Sequence, residues 1–108
     1  MGRNISEVKD TRTTVSVTTN HSVLSGEIIL IDTTGGTELT LTLPANPRQG
    51  DRVNFIDAAG NCGTTKAIIG RNGNKIAALD EDLDFDIKNT SLEFIYTGSS
   101  YGWSILSN

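Results

Sequence analysis

Leu39-Thr40-Leu41-Thr42-Leu43 is the stretch that decides the fold class of this chain. Its leucines alternate with threonines, so an extended strand places the leucines on one face and the threonines on the other. Residues 82–87 repeat the alternation with aspartates on the polar face. Only residues 75–83 have apolar residues at helical spacing, and we expect at most one helical turn there. The alternation therefore predicts a protein built from strands.

The composition also favours strands. The 108 residues include 14 Thr, 11 Ile and 5 Val, which are β-branched, and 11 Gly and 9 Asn, which form tight turns. We predict an all-β domain, a small antiparallel β-sandwich or barrel of about eight short strands. The predicted strands cover residues 14–18, 27–32, 38–43, 52–57, 66–71, 75–77, 83–87, 92–97 and 103–106. Asn72-Gly73 predicts a type I′ turn between two of them, because both residues tolerate positive φ.

The chain divides into an N-terminal arm and one domain. Residues 1–20 are mostly polar and charged, so we predict an extended arm there and a single β-sandwich-like domain over residues 21–108. Residues 1–13 in particular have too few apolar side chains to pack on their own core. Such an arm often packs on a neighbouring protein, and its candidate contact residues are Arg3, Ile5, Val8 and Arg12.

Two predicted strands are apolar on both faces. Ile28-Ile29-Leu30-Ile31 and Phe94-Ile95-Tyr96 lack the polar alternation of the leucine strand. Such a strand is either central in its domain or covered by another chain. The sequence therefore leaves open whether these strands contact a second protein.

Charge is distributed unevenly along the domain. Residues 43–76 contain five basic and two acidic residues, whereas residues 77–96 contain six acidic residues and one basic residue. Complementary surfaces suit a head-to-tail contact repeated around a closed ring, although both segments are equally consistent with ordinary solvated faces. The candidate subunit-interface residues are Arg48, Arg52, Arg71, Asp80, Asp82, Asp84 and Asp86.

The overall composition argues against several classes of protein. The formal net charge of -4 argues against nucleic-acid binding, which depends on neutralising phosphates. The apolar runs are far shorter than the roughly 18 residues that cross a membrane, so we predict no membrane contact. With a single cysteine, the chain has no internal disulfide and no cysteine-based metal cluster.

The residues with reactive side chains stand in settings that do not predict catalysis. His21 lies in a polar stretch, where a solvent-facing turn histidine is expected, and Cys62 is expected to be a small buried residue. Residues 60–66 are glycine-rich but lack the Gly-Lys-Ser/Thr of a phosphate-binding loop. Residues 80–86 are acidic but lack the glycine turn and closing glutamate of a calcium loop. We predict no enzyme, no cofactor and no metal.

The order of several motifs resembles a family of virion proteins. The motifs are Leu41-Thr42-Leu43-Pro44-Ala45-Asn46-Pro47, Gly50-Asp51-Arg52-Val53, Asp57-Ala58-Ala59-Gly60-Asn61, Arg71-Asn72-Gly73-Asn74-Lys75-Ile76, Leu92-Glu93-Phe94-Ile95-Tyr96 and Gly102-Trp103. In this order, over residues 23–106, they resemble the compact β-domains in tail-fibre, baseplate and neck proteins of tailed bacteriophages, including cyanophages.

The resemblance implies a non-catalytic virion protein that forms a homotrimer and is made in the cytoplasm of a bacterial host. In fibre proteins the domain is one piece of a long chain, whereas here it stands with only a short arm. We therefore expect a trimeric capsid decoration (cement) protein, whose arm grips the major capsid protein or other virion structural proteins.

Two alternatives remain open. The first is a tail-fibre, baseplate or neck component. The second is a carbohydrate-binding domain on the virion, with Trp103, Tyr101 and Tyr96 as a stacking platform. We expect instead that Trp103 closes the core beside Phe94 and Phe55, because large aromatic residues are mostly buried. This expectation argues against the carbohydrate site.

Overall fold

The structure, a computed structural model, describes residues 12–107. These residues form strands and loops with no helix, which confirms the all-β prediction. The strands are β1 (Thr13–Val17), β2 (His21–Ser22), β3 (Glu27–Ile31), β4 (Leu39–Thr42), β5 (Arg52–Ile56), β6 (Ala67–Gly70), β7 (Leu83–Phe85), β8 (Ser91–Tyr96) and β9 (Trp103–Ser107).

The strands form two sheets between which the chain alternates. The five-stranded sheet has the order β1-β3-β5-β8-β9, and the four-stranded sheet has the order β2-β4-β6-β7. From β1 to β6 each successive strand lies in the other sheet, and strands of one sheet pair in parallel. The chain therefore winds as a short solenoid. The antiparallel strands β7, β8 and β9 complete the two sheets on one side.

This winding corrects two parts of the predicted architecture. The sheets are mixed, so the antiparallel prediction is wrong for the strands β1 to β6, and the sheets do not close into a barrel. The alternation of apolar residues shows which face of a strand is buried, but it does not show the direction of the neighbouring strand. Here the connections 32–38 and 43–51 carry the chain to the opposite sheet, where the next strand pairs in parallel.

One apolar core lies between the two sheets. It contains inward-facing residues of both sheets, including Leu39 and Leu41 of the leucine strand. The ring of Phe55 in β5 lies 5.2 Å from that of Phe94 and 6.5 Å from that of Phe85, which belongs to the other sheet. Aromatic packing of this kind adds about 1 kcal/mol per pair beyond the burial of apolar area. The sheets are thus joined by their side chains as well as by the chain's winding.

The strand boundaries match the predictions closely, with two differences. Strand β2 was not predicted, and residues 75–77 form isolated bridges through Ile76 in place of the predicted strand. Residues 13–17, which include most of the strand predicted over residues 14–18, form β1 and pair in register with β3, so this end of the predicted arm over residues 1–20 is part of the five-stranded sheet. Residues 1–11 lie outside the described residues.

The Asn72-Gly73 turn adopts the predicted conformation. The φ angles of Asn72 and Gly73 are 51° and 87°, and the N–H of Asn74 donates to the carbonyl of Arg71 over 3.2 Å. The turn follows β6 but leads into a loop, because residues 75–77 form no strand. The sequence signature thus identified the turn and not the hairpin around it.

Candidate interaction surfaces

The outer face of the five-stranded sheet carries several apolar side chains among polar and charged ones. In β3, Ile28 and Leu30 are half-buried and alternate with fully buried neighbours that face the core. The same alternation places Ile56 of β5 and Ile95 of β8 on the outer face. Leu106 of β9 is exposed on this face. The two-sided apolar strands of the sequence therefore supply both the core and this surface, which we call the outer sheet face.

An ion-pair cluster lies on the outer sheet face. Glu93 of β8 accepts from Arg12 over 3.2 Å and lies 3.6 Å from Arg52 of β5. Arg12 also donates to the side chain of Asn54, so it reaches across β3 to contact two further strands. Of the predicted arm residues, Arg12 is therefore bound to its own domain, whereas Arg3, Ile5 and Val8 lie outside the described residues.

The predicted interface charges pair in part within one chain. The guanidinium of Arg71 lies 3.4 Å from the carboxylate of Asp80, and the backbone N–H of Arg71 donates to the carboxylate of Asp82 over 2.9 Å. Asp84 of β7 accepts from Lys66 over 3.1 Å. Exposed pairs of this kind contribute about 0–1 kcal/mol each. Two further predicted residues, Arg48 and Asp86, are exposed. The subunit contact predicted from these charges stays a prediction.

Residues 76–79 form a strained turn that the sequence did not reveal. Ile76 and Leu79 exchange two backbone hydrogen bonds of 3.0 and 2.9 Å, which closes a two-residue turn around Ala77 and Ala78. Both alanines have positive φ, 51° and 66°. This is the φ pattern of a type I′ turn, which normally requires Asn or Gly, and left-handed backbone costs other residues about 1–2 kcal/mol each. Alanine carries no turn signal, so nothing in the sequence predicted it.

The hairpin of β8 and β9 holds this strained turn in place. Ala77 N–H donates to the carbonyl of Trp103 over 2.7 Å, and Ala78 N–H donates to that of Tyr101 over 2.9 Å. Trp103 N–H in turn donates to the carbonyl of Lys75 over 2.8 Å. Beside these contacts the side chains of Leu79 and Tyr101 are 55% and 66% exposed. We call the exposed group of Ala77, Ala78, Leu79 and Tyr101 the apolar tip.

The aromatic residues do not form a stacking platform. Trp103 is fully buried, and Tyr96 packs edge-to-face against it with ring centroids 5.3 Å apart and is itself buried. Only Tyr101 of the three candidates is exposed. The expectation that Trp103 closes the core is therefore confirmed, and the geometry does not support the carbohydrate site. The indole Nε1 of Trp103 has no hydrogen-bond partner among residues 12–107.

His21 occupies a structural position rather than the expected solvent-facing turn. It lies in β2, half-buried, with Nε2 3.0 Å from Oε1 of Glu27 in β3. Glu27 is buried and also accepts from the N–H of Leu24 over 2.9 Å. Because β2 and β3 belong to different sheets, this polar pair joins the two sheets at the side of the domain where the winding begins. The imidazole is therefore part of the scaffold.

Cys62 is buried, as expected, and its surroundings oppose reactivity. Burial raises the pKa of its thiol to about 12, and the neighbouring carboxylate of Asp57 acts in the same direction. Nucleophilic cysteines require the opposite, a lowered pKa and an exposed sulfur. Cys62 therefore belongs to the core.

The described part of the chain offers little for ligand chemistry. Within residues 12–107, no three His, Cys, Asp or Glu side chains are grouped so as to hold a metal ion. No helix of these residues is long and apolar enough to span a membrane. A shallow open groove beside β2 is lined by small polar residues, namely Asn20, His21, Ser22, Thr40 and Thr42.

Comparison of the chain with protein-family models and with curated proteins gives no match.

Proposed function

We propose that this chain is a non-enzymatic structural protein of a tailed-phage virion, and specifically a trimeric capsid decoration protein that binds the major capsid protein. The observation that carries the proposal is the outer sheet face, on which regular strands present apolar side chains to the outside. Apolar side chains such as Ile28, Leu30 and Ile95, set among polar and charged ones on a regular sheet, are suited to protein contact rather than to enclosing a small molecule.

The positions of the reactive side chains agree with a structural role. Cys62 is protonated and buried, and the imidazole of His21 is bound to Glu27 between the sheets. His21 lines the shallow groove beside β2, but the other residues that line it carry hydroxyl and amide groups and no carboxylate or thiol. The side chains that catalysis would need instead stabilise the domain.

The N-terminal segment is the proposed capsid-binding element. Arg12 directly precedes β1 and lies against the outer sheet face, bound to Glu93. Arg12, the first described residue, therefore contacts the outer sheet face with its side chain. In this proposal residues 1–11 and the outer sheet face contact the capsid together.

The proposed mechanism is linkage between binding and shell stability. A protein that binds only the assembled lattice stabilises that lattice by its binding free energy. Three N-terminal segments in one trimer bind with higher avidity than one, because the second and third contacts form at high effective concentration. No catalytic step is required.

The copy number in purified virions tests the proposal. Quantitative mass spectrometry of the particles is expected to find this chain in amounts comparable to the major capsid protein. A few copies per particle would instead place the chain in the second candidate position, the tail fibre, baseplate or neck. Absence from the particles would overturn the virion proposal altogether.

Truncation tests the proposed role of the N-terminal segment. A variant lacking residues 1–11 keeps Arg12 and β1, so its oligomeric state and unfolding are expected to match those of the full chain. Its binding to capsids is expected to fall at least tenfold, which corresponds to about 1.4 kcal/mol. The matched control is Leu24→Ser, which alters an exposed side chain in the loop between β2 and β3. Undiminished binding by the truncated protein would contradict the proposed role.

A further inference from the structure

We propose that copies of this chain associate through the apolar tip, which contacts the surface formed by Arg48 and Arg52 on the next copy. This inference rests on the proposed homotrimer and names the residues that form its subunit contact. The apolar tip was defined above as Ala77, Ala78, Leu79 and Tyr101. Both surfaces belong to the described part of the chain.

The first argument is the strain in the turn at 77–78. Five residues earlier the chain makes a turn of the same φ pattern with Asn72-Gly73, the residues that adopt it most readily. At 77–78 it uses two alanines in place of that pair. The two exposed alanines add methyl groups, which Asn-Gly would lack, beside the exposed side chains of Leu79 and Tyr101. A contact surface explains why strained backbone is retained at an exposed position.

The second argument is that the apolar tip is rigid. The N–H groups of Ala77 and Ala78 are both bound to carbonyls of the β8–β9 hairpin. Gly102 of that hairpin packs so closely on Lys75 that an added Cβ would overlap the Lys75 carbonyl oxygen. The backbone that carries the exposed side chains is therefore held in position before any partner binds. Such preorganisation reduces the entropy that is lost on association.

The third argument is charge complementarity. The apolar tip is followed directly by Asp80, which lies 3.4 Å from Arg71 of its own chain, and by the exposed Glu81, which carries most of the negative charge in this argument. Arg48 and Arg52 are exposed basic residues of the same chain, and Arg52 already lies 3.6 Å from its own Glu93, so Arg48 carries most of the positive charge in this argument. Opposite charges around an apolar centre favour the head-to-tail orientation of two copies and disfavour the contact of like surfaces.

The fourth argument is position. Gly50, between the two arginines, donates to the carbonyl of Tyr96 over 2.8 Å, and Tyr96 pairs with Trp103 in the sheet. The arginines and the apolar tip therefore lie at the same end of the five-stranded sheet. A cyclic trimer in which each copy contacts the next needs two different surfaces near the symmetry axis, and this end of the domain supplies both.

Analytical ultracentrifugation of the full chain tests the contact. The wild type is expected to sediment as a trimer, and Leu79→Ser combined with Tyr101→Ser is expected to weaken association at least a hundredfold. The matched control is Leu24→Ser combined with Ile87→Ser, because these two side chains are 65% and 64% exposed but lie elsewhere. The control pair is expected to remain trimeric. Urea unfolding of each variant verifies that the domain is folded.

A charge reversal tests the orientation of the two copies. Glu81→Lys and Arg48→Glu are each expected to weaken the trimer about tenfold, and the double variant is expected to recover most of the loss. Recovery supports the head-to-tail contact, and additive losses overturn it.

The outcomes separate this inference from the proposed function. A wild type that stays trimeric when the apolar tip is altered overturns the inference and leaves the virion proposal intact. A monomeric wild type overturns the inference and the trimeric form of the proposal. The copy number in virions is measured independently of both results.

Discussion

The carboxylate of Asp57 accepts a hydrogen bond from the backbone N–H of Asn89 over 2.9 Å, which joins the loop after β5 to the loop before β8. The same buried carboxylate accepts from the N–H groups of Asn61 and Cys62 over 3.1 and 3.2 Å. One side chain thus replaces the water that three backbone donors would otherwise bind. These contacts connect segments that are 32 residues apart in the chain.

Asp57 is therefore expected to contribute strongly to stability. Asp57→Asn keeps the side-chain volume but turns one acceptor oxygen into a donor that faces other donors. We expect a loss of about 2–4 kcal/mol in the free energy of unfolding, measured by urea titration at pH 7. Asp86→Asn, on an exposed side chain, is the control and should change it by less than about 0.5 kcal/mol. Equal effects of the two substitutions would refute the role assigned to Asp57.

The same carboxylate predicts a loss of stability in acid. Burial acts to raise the pKa of Asp57, but the hydrogen bonds from Asn89, Cys62 and Asn61 outweigh it and hold the pKa below its ordinary value. A folded-state pKa below the unfolded value means that the unfolded state binds more protons. The contribution is therefore complete above about pH 4 and is lost as the pH falls through the folded-state pKa. The unfolding free energy of Asp57→Asn should depend less on pH below 4 than that of the wild type.

Gly102 is expected to tolerate no side chain. Its φ is +74°, and an added Cβ would overlap the carbonyl oxygen of Lys75. We expect Gly102→Ala to cost roughly 3 kcal/mol or more, from steric overlap and left-handed backbone together. Gly73→Ala is the control, because Gly73 has a φ of +87° with nothing within 4 Å of an added Cβ. It should cost only about 1–2 kcal/mol in the same urea titration. A similar loss of unfolding free energy at both glycines would show that steric overlap with the Lys75 carbonyl does not contribute to the effect at Gly102.

Relief of strain in the turn at 77–78 is expected to stabilise the domain. Replacing Ala77 by Asn and Ala78 by Gly supplies residues that adopt positive φ readily, for an expected gain of about 1–2 kcal/mol. In the control Ala59→Gly, on a residue outside the positive-φ region, a loss of roughly 0.5–1 kcal/mol is expected. Thermal and urea unfolding measure both changes. The test is whether the two changes in the free energy of unfolding have opposite signs. An Asn-Gly variant that is less stable than the wild type would show that the turn at 77–78 is not strained.

Cys62 is expected to be unreactive while the protein is folded. With a pKa of about 12 its thiolate is scarce at pH 8. We expect alkylation by iodoacetamide to be at least about a thousandfold slower than that of an ordinary exposed thiol. Leu24→Cys in a Cys62→Ala background provides that exposed comparison, and unfolding in urea should remove the difference. Rapid modification of the native wild type would show that Cys62 is accessible.

Much of the local structure could be predicted from sequence patterns of a few residues. Leu39, Leu41 and Leu43 alternate with threonines, and all three leucines face the core. Asn72-Gly73 forms its turn because both residues tolerate left-handed backbone whatever surrounds them. These properties depend on near neighbours in the chain, so the sequence expresses them directly.

The tertiary structure decided which segments meet. Three kinds of contact depend on how the chain winds between two sheets. They are the parallel pairing of β1, β3 and β5, the contact of His21 with Glu27, and the ion pair of Arg12 with Glu93. The apolar tip is the clearest case. Ala77 and Ala78 favour no turn of their own, and they adopt left-handed backbone because Trp103 and Tyr101, more than 20 residues further along, accept their N–H groups. By itself the sequence determined most of the strand positions and the buried face of the leucine strand, because both follow from local alternation; it did not reveal β2 or the exposure of Ile87. Pairing and strain were decided by contacts between distant segments, since burying one common core outweighs the preferences of single residues.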